Sequence, residues 1–136
     1  MIGYLLDTSA LWRLFREKDT FARWRPEIDA GALRICEVTR AEFLFSATSS
    51  ADRDDLAADI DAVCLPAGVP KNAWRWVDTA QYKLTQRGQH RSAGVGDLVV
   101  CATAVHHDLT VLHTDDDFAT VARVLLELRQ RDIRTG

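Results

Sequence analysis

The sequence predicts a three-layer α/β/α domain with a central, mainly parallel sheet covered by helices on both faces. Short apolar runs alternate with longer amphipathic stretches along the chain, the pattern of strand and crossover helix in turn. No internal repeat or low-complexity segment interrupts that alternation. With 136 residues, 47% of them hydrophobic and 27% charged, the chain fits one domain spanning residues 1–136 with a full-sized core, and neither a disordered tail nor a fibre.

Ile2 to Leu6 is the first apolar run and stops at Asp7; DTSALWRLF then reads as a helix start, capped by Thr8 or Ser9, with Leu11, Leu14 and Phe15 on one face. A second helix is expected over Thr20 to Asp29, ending at the breaker Gly31, and a strand over Leu33 to Val38. Thr39 would cap the following helix, which puts Glu42 where a capping-box acid sits. Leu56, Ile60 and Val63 have helical spacing within a polar stretch from Ser50, and Cys64 and Leu65 before Pro66 form a brief strand. The longest helix is expected over Lys71 to Gln86, with Trp74, Val77 and Leu84 inward. Gly88 to Gly96 is a loop by composition, and Asp97 opens an apolar helix to about His106. Leu109 to His113 is a β-branched strand that stops at Asp115-Asp116-Asp117. A helical pattern resumes at Phe118, and residues 124–130 fit helix or strand.

Acidic residues fall at strand ends or helix starts in four separate stretches: Asp7, Glu42, Asp97 and Asp115. In open α/β sheets ligands bind at the carboxyl ends of the strands, and carboxylates gathered there repel one another unless a cation sits among them. Oxygen-only clusters suit Mg²⁺ or Mn²⁺, which leave coordination positions for water and phosphate. Metal-dependent chemistry on a phosphodiester follows. Each acid also has a plainer reading, as a helix cap, a first-turn dipole partner or a solvated turn.

The net charge of −3 argues at first against a nucleic-acid partner. Setting aside the six carboxylates of Asp7, Glu42, Asp97 and Asp115 to Asp117 turns that balance to +3 for the rest. Lys83, Arg87 and Arg91 recur at four-residue spacing and form a basic ridge for RNA contact if their helix extends that far. Trp12, Trp24, Trp74 and Trp76 are core, dimer contacts or stacking platforms. Cys36, Cys64 and Cys101 are odd in number and set in apolar surroundings, as buried thiols are. Only six residues precede Asp7, too few for a charged-then-apolar leader, and no apolar run approaches the roughly 18 residues of a membrane span, so a cytoplasmic location is expected.

The segments DTSAL, VTRAEFLFSA and HRSAGVGDLVVCATAVHHDLTVLHTDDDF together resemble the PIN-domain family of the VapC toxin type over nearly the whole chain. The chain departs from the family pattern at Gly94, Val95 and Gly96, where a proline-containing loop is common, and past Phe118 carries no recognisable motif. The resemblance implies a Mg²⁺-dependent endoribonuclease held inactive by a cognate VapB-type antitoxin. Asp7, Glu42, Asp97 and Asp115 match its acidic quartet, Asp117 a frequent fifth acid, and Ser9 or Thr8 the small hydroxyl after the first acid.

On this reading Asp7, Asp97, Asp115 and Asp117 are the metal-facing groups, Mn²⁺ being a substitute for Mg²⁺. Glu42 orients or deprotonates the attacking water or serves as a ligand, and Ser9 fixes Asp7 or a metal-bound water by a hydrogen bond. The adjacent His106 and His107 are a helix-end pair, and His113 packs near the site without acting as its base. Apolar side chains at Trp12, Leu14, Phe15, Phe43 and Phe45 suggest a homodimer. A response-regulator receiver would need an acidic pair after the first strand and a lysine after the last, and an aspartate phosphatase an acid at position 9, where Ser9 stands. The alternatives that remain are an RNA-processing PIN nuclease without antitoxin and an inactive PIN module that only binds.

Overall fold

The computed structural model describes residues 2–135. In chain order its elements are β1 (Tyr4–Leu6), α1 (Thr8–Arg16), α2 (Lys18–Arg23), α3 (Arg25–Asp29), β2 (Leu33–Ile35), α4 (Glu37–Phe45), α5 (Ser50–Val63), β3 (Leu65–Pro66), α6 (Ala73–Gln86), α7 (Val95–His106), β4 (Thr110–His113), α8 (Asp116–Val124) and β5 (Gln130–Asp132). The five strands form one sheet of order β3-β2-β1-β4-β5, parallel at every pairing. This is the expected three-layer α/β/α architecture.

Every residue of β1 and β4 is buried, and successive side chains point to opposite sides, so both faces of the sheet are covered. Leu5 and Val111 enter one core with Leu84, Leu98, Val100 and Phe118 of α6, α7 and α8. Tyr4, Leu6 and Leu112 enter the other with Leu11, Leu14, Phe43 and Ile60 of α1, α4 and α5. Side chains of one three-residue strand thus anchor two layers, and β1 and β4 lie side by side at the centre, Leu6 opposite Leu112.

Several boundaries differ from the sequence expectation. The expected helix over residues 20–29 is two short helices, α2 and α3, parted at Trp24, whose indole N–H donates to the Ile133 carbonyl at 3.0 Å; Pro26 fits the first turn of α3, where its missing N–H costs nothing. Strand β2 ends at Ile35, and α4 starts at Glu37 with Cys36 as its cap. Thr39 is therefore a buried residue inside the first turn rather than the cap, and Glu42 lies mid-helix, so the capping-box reading of Glu42 fails. Asp7, not Thr8 or Ser9, caps α1. The last strand is residues 130–132, while Val124 still belongs to α8.

The apolar surface invoked for a homodimer is mostly internal. Leu14 and Phe43 are each 1% exposed, and Trp12 and Phe15 are half-buried with their rings against Phe43, at centroid distances of 4.3 and 5.8 Å. Only Phe45 of the five stands free, at 90% exposure. Of the tryptophans Trp24 is buried, Trp12 and Trp76 are partly so and Trp74 is exposed. All three cysteines are free and buried. No described helix is long and apolar enough to cross a membrane.

Candidate active site

Two neighbouring parallel strands, β1 and β4, deliver two acids to the same edge. Asp7 follows β1 directly, and its backbone N–H donates to the Leu112 carbonyl of β4 at 3.0 Å, which holds it beside that strand. The residue is 6% exposed. Its Oδ1 accepts from the Ala10 N–H at 3.0 Å, as the cap of α1, and from the Ser9 hydroxyl at 2.7 Å. Burial nevertheless pushes the Asp7 carboxyl above the usual range, against the lowering effect of those bonds.

Ser9 spends its one proton on Asp7 and its lone pair on the Thr114 N–H, at 3.0 Å. It thereby ties the start of α1 to the turn after β4. The expectation that a small hydroxyl orders Asp7 gains a second half, since the same hydroxyl also orders the segment carrying Asp115.

Asp115 caps α8, its Oδ1 accepting from the Asp117 N–H at 3.0 Å. The triplet separates as extended backbone turning into a helix requires: Asp116 is exposed, whereas Asp115 and Asp117 are partly buried. Burial and then the Asp115 charge raise the Asp117 carboxyl above its ordinary value.

Asp97 arrives from a third direction, as the third residue of α7. Its pKa is pushed up to about 6, first by burial and then by the charges of Asp7, Asp115 and Glu42. Asp97 thus feels the charge of the other three acids. Glu42 reaches it from α4, which packs on α7 at a glycine: a Cβ on Gly96 would stand 3.8 Å from Glu42 Oε1 and 3.6 Å from Val38 Cγ1. Glu42 itself is exposed and so faces the open side of the cleft.

Among the described residues none of the ion pairs involves Asp7, Glu42, Asp97 or Asp115. An oxygen-only donor set without a basic partner fits a hard divalent cation, and Asp97 is raised first by burial and only then by its acidic neighbours. As placed, no three His, Cys, Asp or Glu side chains among the described residues stand close enough together to hold an ion.

The basic ridge does not form as one face. Helix α6 ends at Gln86, Arg87 is its cap, and Gly88 takes a left-handed φ of 67°, which turns the chain away before Arg91. Lys83, Arg87 and Arg91 are all exposed, but only Lys83 lies on the helix. His106 and His107 do end α7, with the His107 ring 2.8 Å from the Gly68 carbonyl. A cavity of about 650 Å³ lies elsewhere, between α1, α2 and α5, lined by Leu14, Phe15, Phe21 and Val63 with Glu17, Lys18, Arg25 and Asp59 around them.

The sequence reading missed the support given by His113. Its ring is 3% exposed and touches the backbone of Asp115 on one side and Gln130 on the other. The period-two spacing of His113 and Asp115 was a usable signal. Gln130 carried none, because its contact depends on how β5 pairs with β4.

The PIN domain family matches residues 4–124. Ribonuclease VapC6 of Mycobacterium tuberculosis is 37% identical over 102 residues, 75% of this chain and 80% of that protein. Ribonuclease VapC21 of the same organism is 34% identical over 121 residues, 89% of this chain and 87% of that one. Among solved structures, VapBC2 from Rickettsia felis bound to a promoter DNA fragment superposes with a TM-score of 0.79 at 13% identity, covering 97% of this chain and 98% of that chain. VapBC-1 from nontypeable Haemophilus influenzae does so with a TM-score of 0.76 at 15% identity, over 99% and 100%. With the fold, the acidic edge and these relatives in agreement, the chain belongs to the PIN-domain family, in its VapC branch.

Proposed function

We propose that the chain is a divalent-metal-dependent endoribonuclease, the toxin of a type II toxin–antitoxin pair, acting on structured RNA such as tRNA, rRNA or mRNA. One observation carries the reading: Ser9 ties Asp7 to the turn that carries Asp115, Glu42 comes up to α7 at Gly96 beside Asp97, and none of these four carboxylates is in an ion pair among the described residues. The VapC ribonucleases to which the chain is similar support it.

Asp7, Asp97 and Asp115 would hold Mg²⁺, or Mn²⁺ in its place, with Asp117 beside them. The ion supplies Lewis acidity to a phosphoryl oxygen and a lowered pKa to a coordinated water. The chain's own residues do the placing. Ser9 keeps one oxygen of Asp7 engaged, so that carboxylate presents itself in one orientation. Glu42, on the exposed side of the cleft, orients the attacking water or takes its proton. The exposed Lys83, Arg87 and Arg91 contact RNA phosphates as separate charges rather than as a ridge.

The partners follow the same reading. A VapB-type antitoxin is the cognate inhibitor, and the apolar groove between α1, α2 and α5 has the size and lining to seat an amphipathic segment of it. A homodimer, with Phe45 in its interface, completes the assembly. Light scattering of the pure protein should give twice the 15.3 kDa chain mass, and a monomer mass at micromolar concentration removes the dimer.

The deciding experiment incubates antitoxin-free protein with total cellular RNA, with Mg²⁺ or with EDTA, and maps new RNA ends. Discrete Mg²⁺-dependent ends are expected. RNA left intact with Mg²⁺ present would leave only a binding module.

A further inference from the structure

We propose that His113, itself held by Gln130, is a positioning residue that sets the Asp115 backbone in the active site; this rests on the metal-nuclease reading above. His113 is the last residue of β4 and is 3% exposed, with its ring packed on Phe118 at a centroid distance of 5.1 Å. Its Nδ1 lies 3.0 Å from the Asp115 backbone nitrogen. A backbone N–H can only donate, so Nδ1 must carry a lone pair and the proton must sit on Nε2. That Nε2 is 2.6 Å from Gln130 Oε1, an oxygen able to accept it. The two contacts agree: the Asp115 N–H requires a bare Nδ1, and the Gln130 amide, with its oxygen toward Nε2, accepts the proton there and holds the ring in place.

The consequence reaches the carboxylate. With its N–H fixed by the imidazole, Asp115 leaves the strand in extended backbone, φ −125° and ψ 125°, and its Oδ1 takes the Asp117 N–H as the cap of α8. One oxygen is spent on the cap and the other remains for the cleft. If the ring carried its proton on Nδ1, two hydrogens would face each other at Asp115 and the turn would have to shift. Gln130 stands on the last strand, outside the segment from β1 to α8 that carries the acids. Strand β5 thus has a task at the active site although it contributes no acid there.

Three measurements test this. In the metal-free protein, ¹⁵N NMR of the His113 ring should find Nδ1 unprotonated and Nε2 protonated, and Gln130→Leu should mix the two tautomers. In calorimetry with Mn²⁺ alone, His113→Phe should bind the ion on the order of 10-fold more weakly, the lower range for a lost outer-shell partner, and should lose cleavage rate in proportion with KM for RNA unchanged. His113→Asn, whose amide oxygen can accept the Asp115 N–H, should recover both to within about threefold of wild type. A ring protonated on Nδ1, wild-type Mn²⁺ affinity in His113→Phe, or His113→Asn no better than His113→Phe would each overturn the proposal. Should His113→Phe fail to fold, Gln130→Leu at its partly exposed position decides alone, and unchanged Mn²⁺ affinity with an unchanged ring spectrum overturns it. Asp115→Asn separates the two levels. If wild type binds Mn²⁺ and cleaves while Asp115→Asn does neither and His113→Phe equals wild type, only the positioning role falls. If wild type does neither, the nuclease reading and this inference fall together.

Discussion

Asp97 and Asp132 are both partly buried acids near the carboxyl edge of the same sheet, and they titrate in opposite directions. Asp132 follows its strand into Arg134, which reaches back to the carboxylate with its guanidinium at 2.9 Å and with its backbone N–H at 2.8 Å, and the Asp132 pKa falls to about 2. Asp97 is surrounded by Asp7, Asp115 and Glu42, and its pKa rises to about 6. Folding thus stabilises one carboxylate and opposes the ionisation of the other. Asp108, Asp61 and Asp29 resemble Asp132, each with an arginine at 2.8 to 2.9 Å. Arginines are not scarce on this surface, yet among the described residues none pairs with Asp7, Glu42, Asp97 or Asp115. On the function proposed above, that cluster is reserved for a divalent cation.

The sharpest way to break this contrast is to remove acids from the reserved cluster. Asp97→Asn and Asp115→Asn should each lower RNA cleavage on the order of 10²-fold or more, as loss of a group that stabilises the reacting charge does, with folding retained. Cleavage at the wild-type rate by either protein withdraws that residue. Asp117→Asn should cost about 10 to 100-fold, the range of outer-shell partners, and the exposed Asp116→Asn less than about twofold. If Asp116 proves the most damaging of the three, Asp115 is not the group that faces the metal.

Ser9→Ala should be milder, on the order of 10-fold in cleavage, because Asp7 keeps its bond from Ala10 while losing the hydroxyl that ties it to Thr114. Steady-state kinetics on a short RNA would check it, and an unchanged rate leaves that hydroxyl without an active-site role.

Stability against pH sharpens the comparison further. Folded Asp97 still binds its proton near pH 5, where the unfolded chain, with an ordinary carboxylate pKa of about 3.9, has lost it. The native state therefore holds more protons than the unfolded state between about pH 4 and 6, and the contribution of Asp97 to stability falls as pH rises through that window. Asp132 has the reverse sign: its contribution is present above about pH 4 and disappears as pH falls toward 2. At pH 7 without metal, Asp97→Asn should raise the melting temperature by a few degrees and Asp132→Asn should lower it. Added Mg²⁺ should stabilise wild type and not Asp97→Asn. Melting curves with the two signs exchanged would undo the contrast.

Much of this could be read from residues 4–7, 95–106 and 109–115, whose apolar runs carry or lead to a single acid and where local preference and burial agree. The positions of Asp7 and Asp115 just past β1 and β4 were legible for the same reason, since strand ends in a parallel sheet face a common edge. Elsewhere local signals competed with packing. Thr39 looked like a cap, yet the chain enters α4 earlier because β2 is only three residues long. Residues 20–29 looked like one helix, yet the Trp24 indole bonds the Ile133 carbonyl, 109 residues away, and the helix parts there. Trp12, Leu14, Phe15 and Phe43 looked like a surface and proved to be one another's neighbours.

By itself the sequence determined the alternation of elements, the sheet class and which acids lie at strand ends or helix starts, because each follows from the spacing of apolar and charged residues within a few turns of chain. Only the tertiary structure decided that Ser9 also bonds the Thr114 backbone, that Glu42 approaches α7 at Gly96, and that Gln130 holds His113. Those contacts join positions 17 to 105 residues apart, set by strand order and helix packing, and no local pattern encodes such a distance.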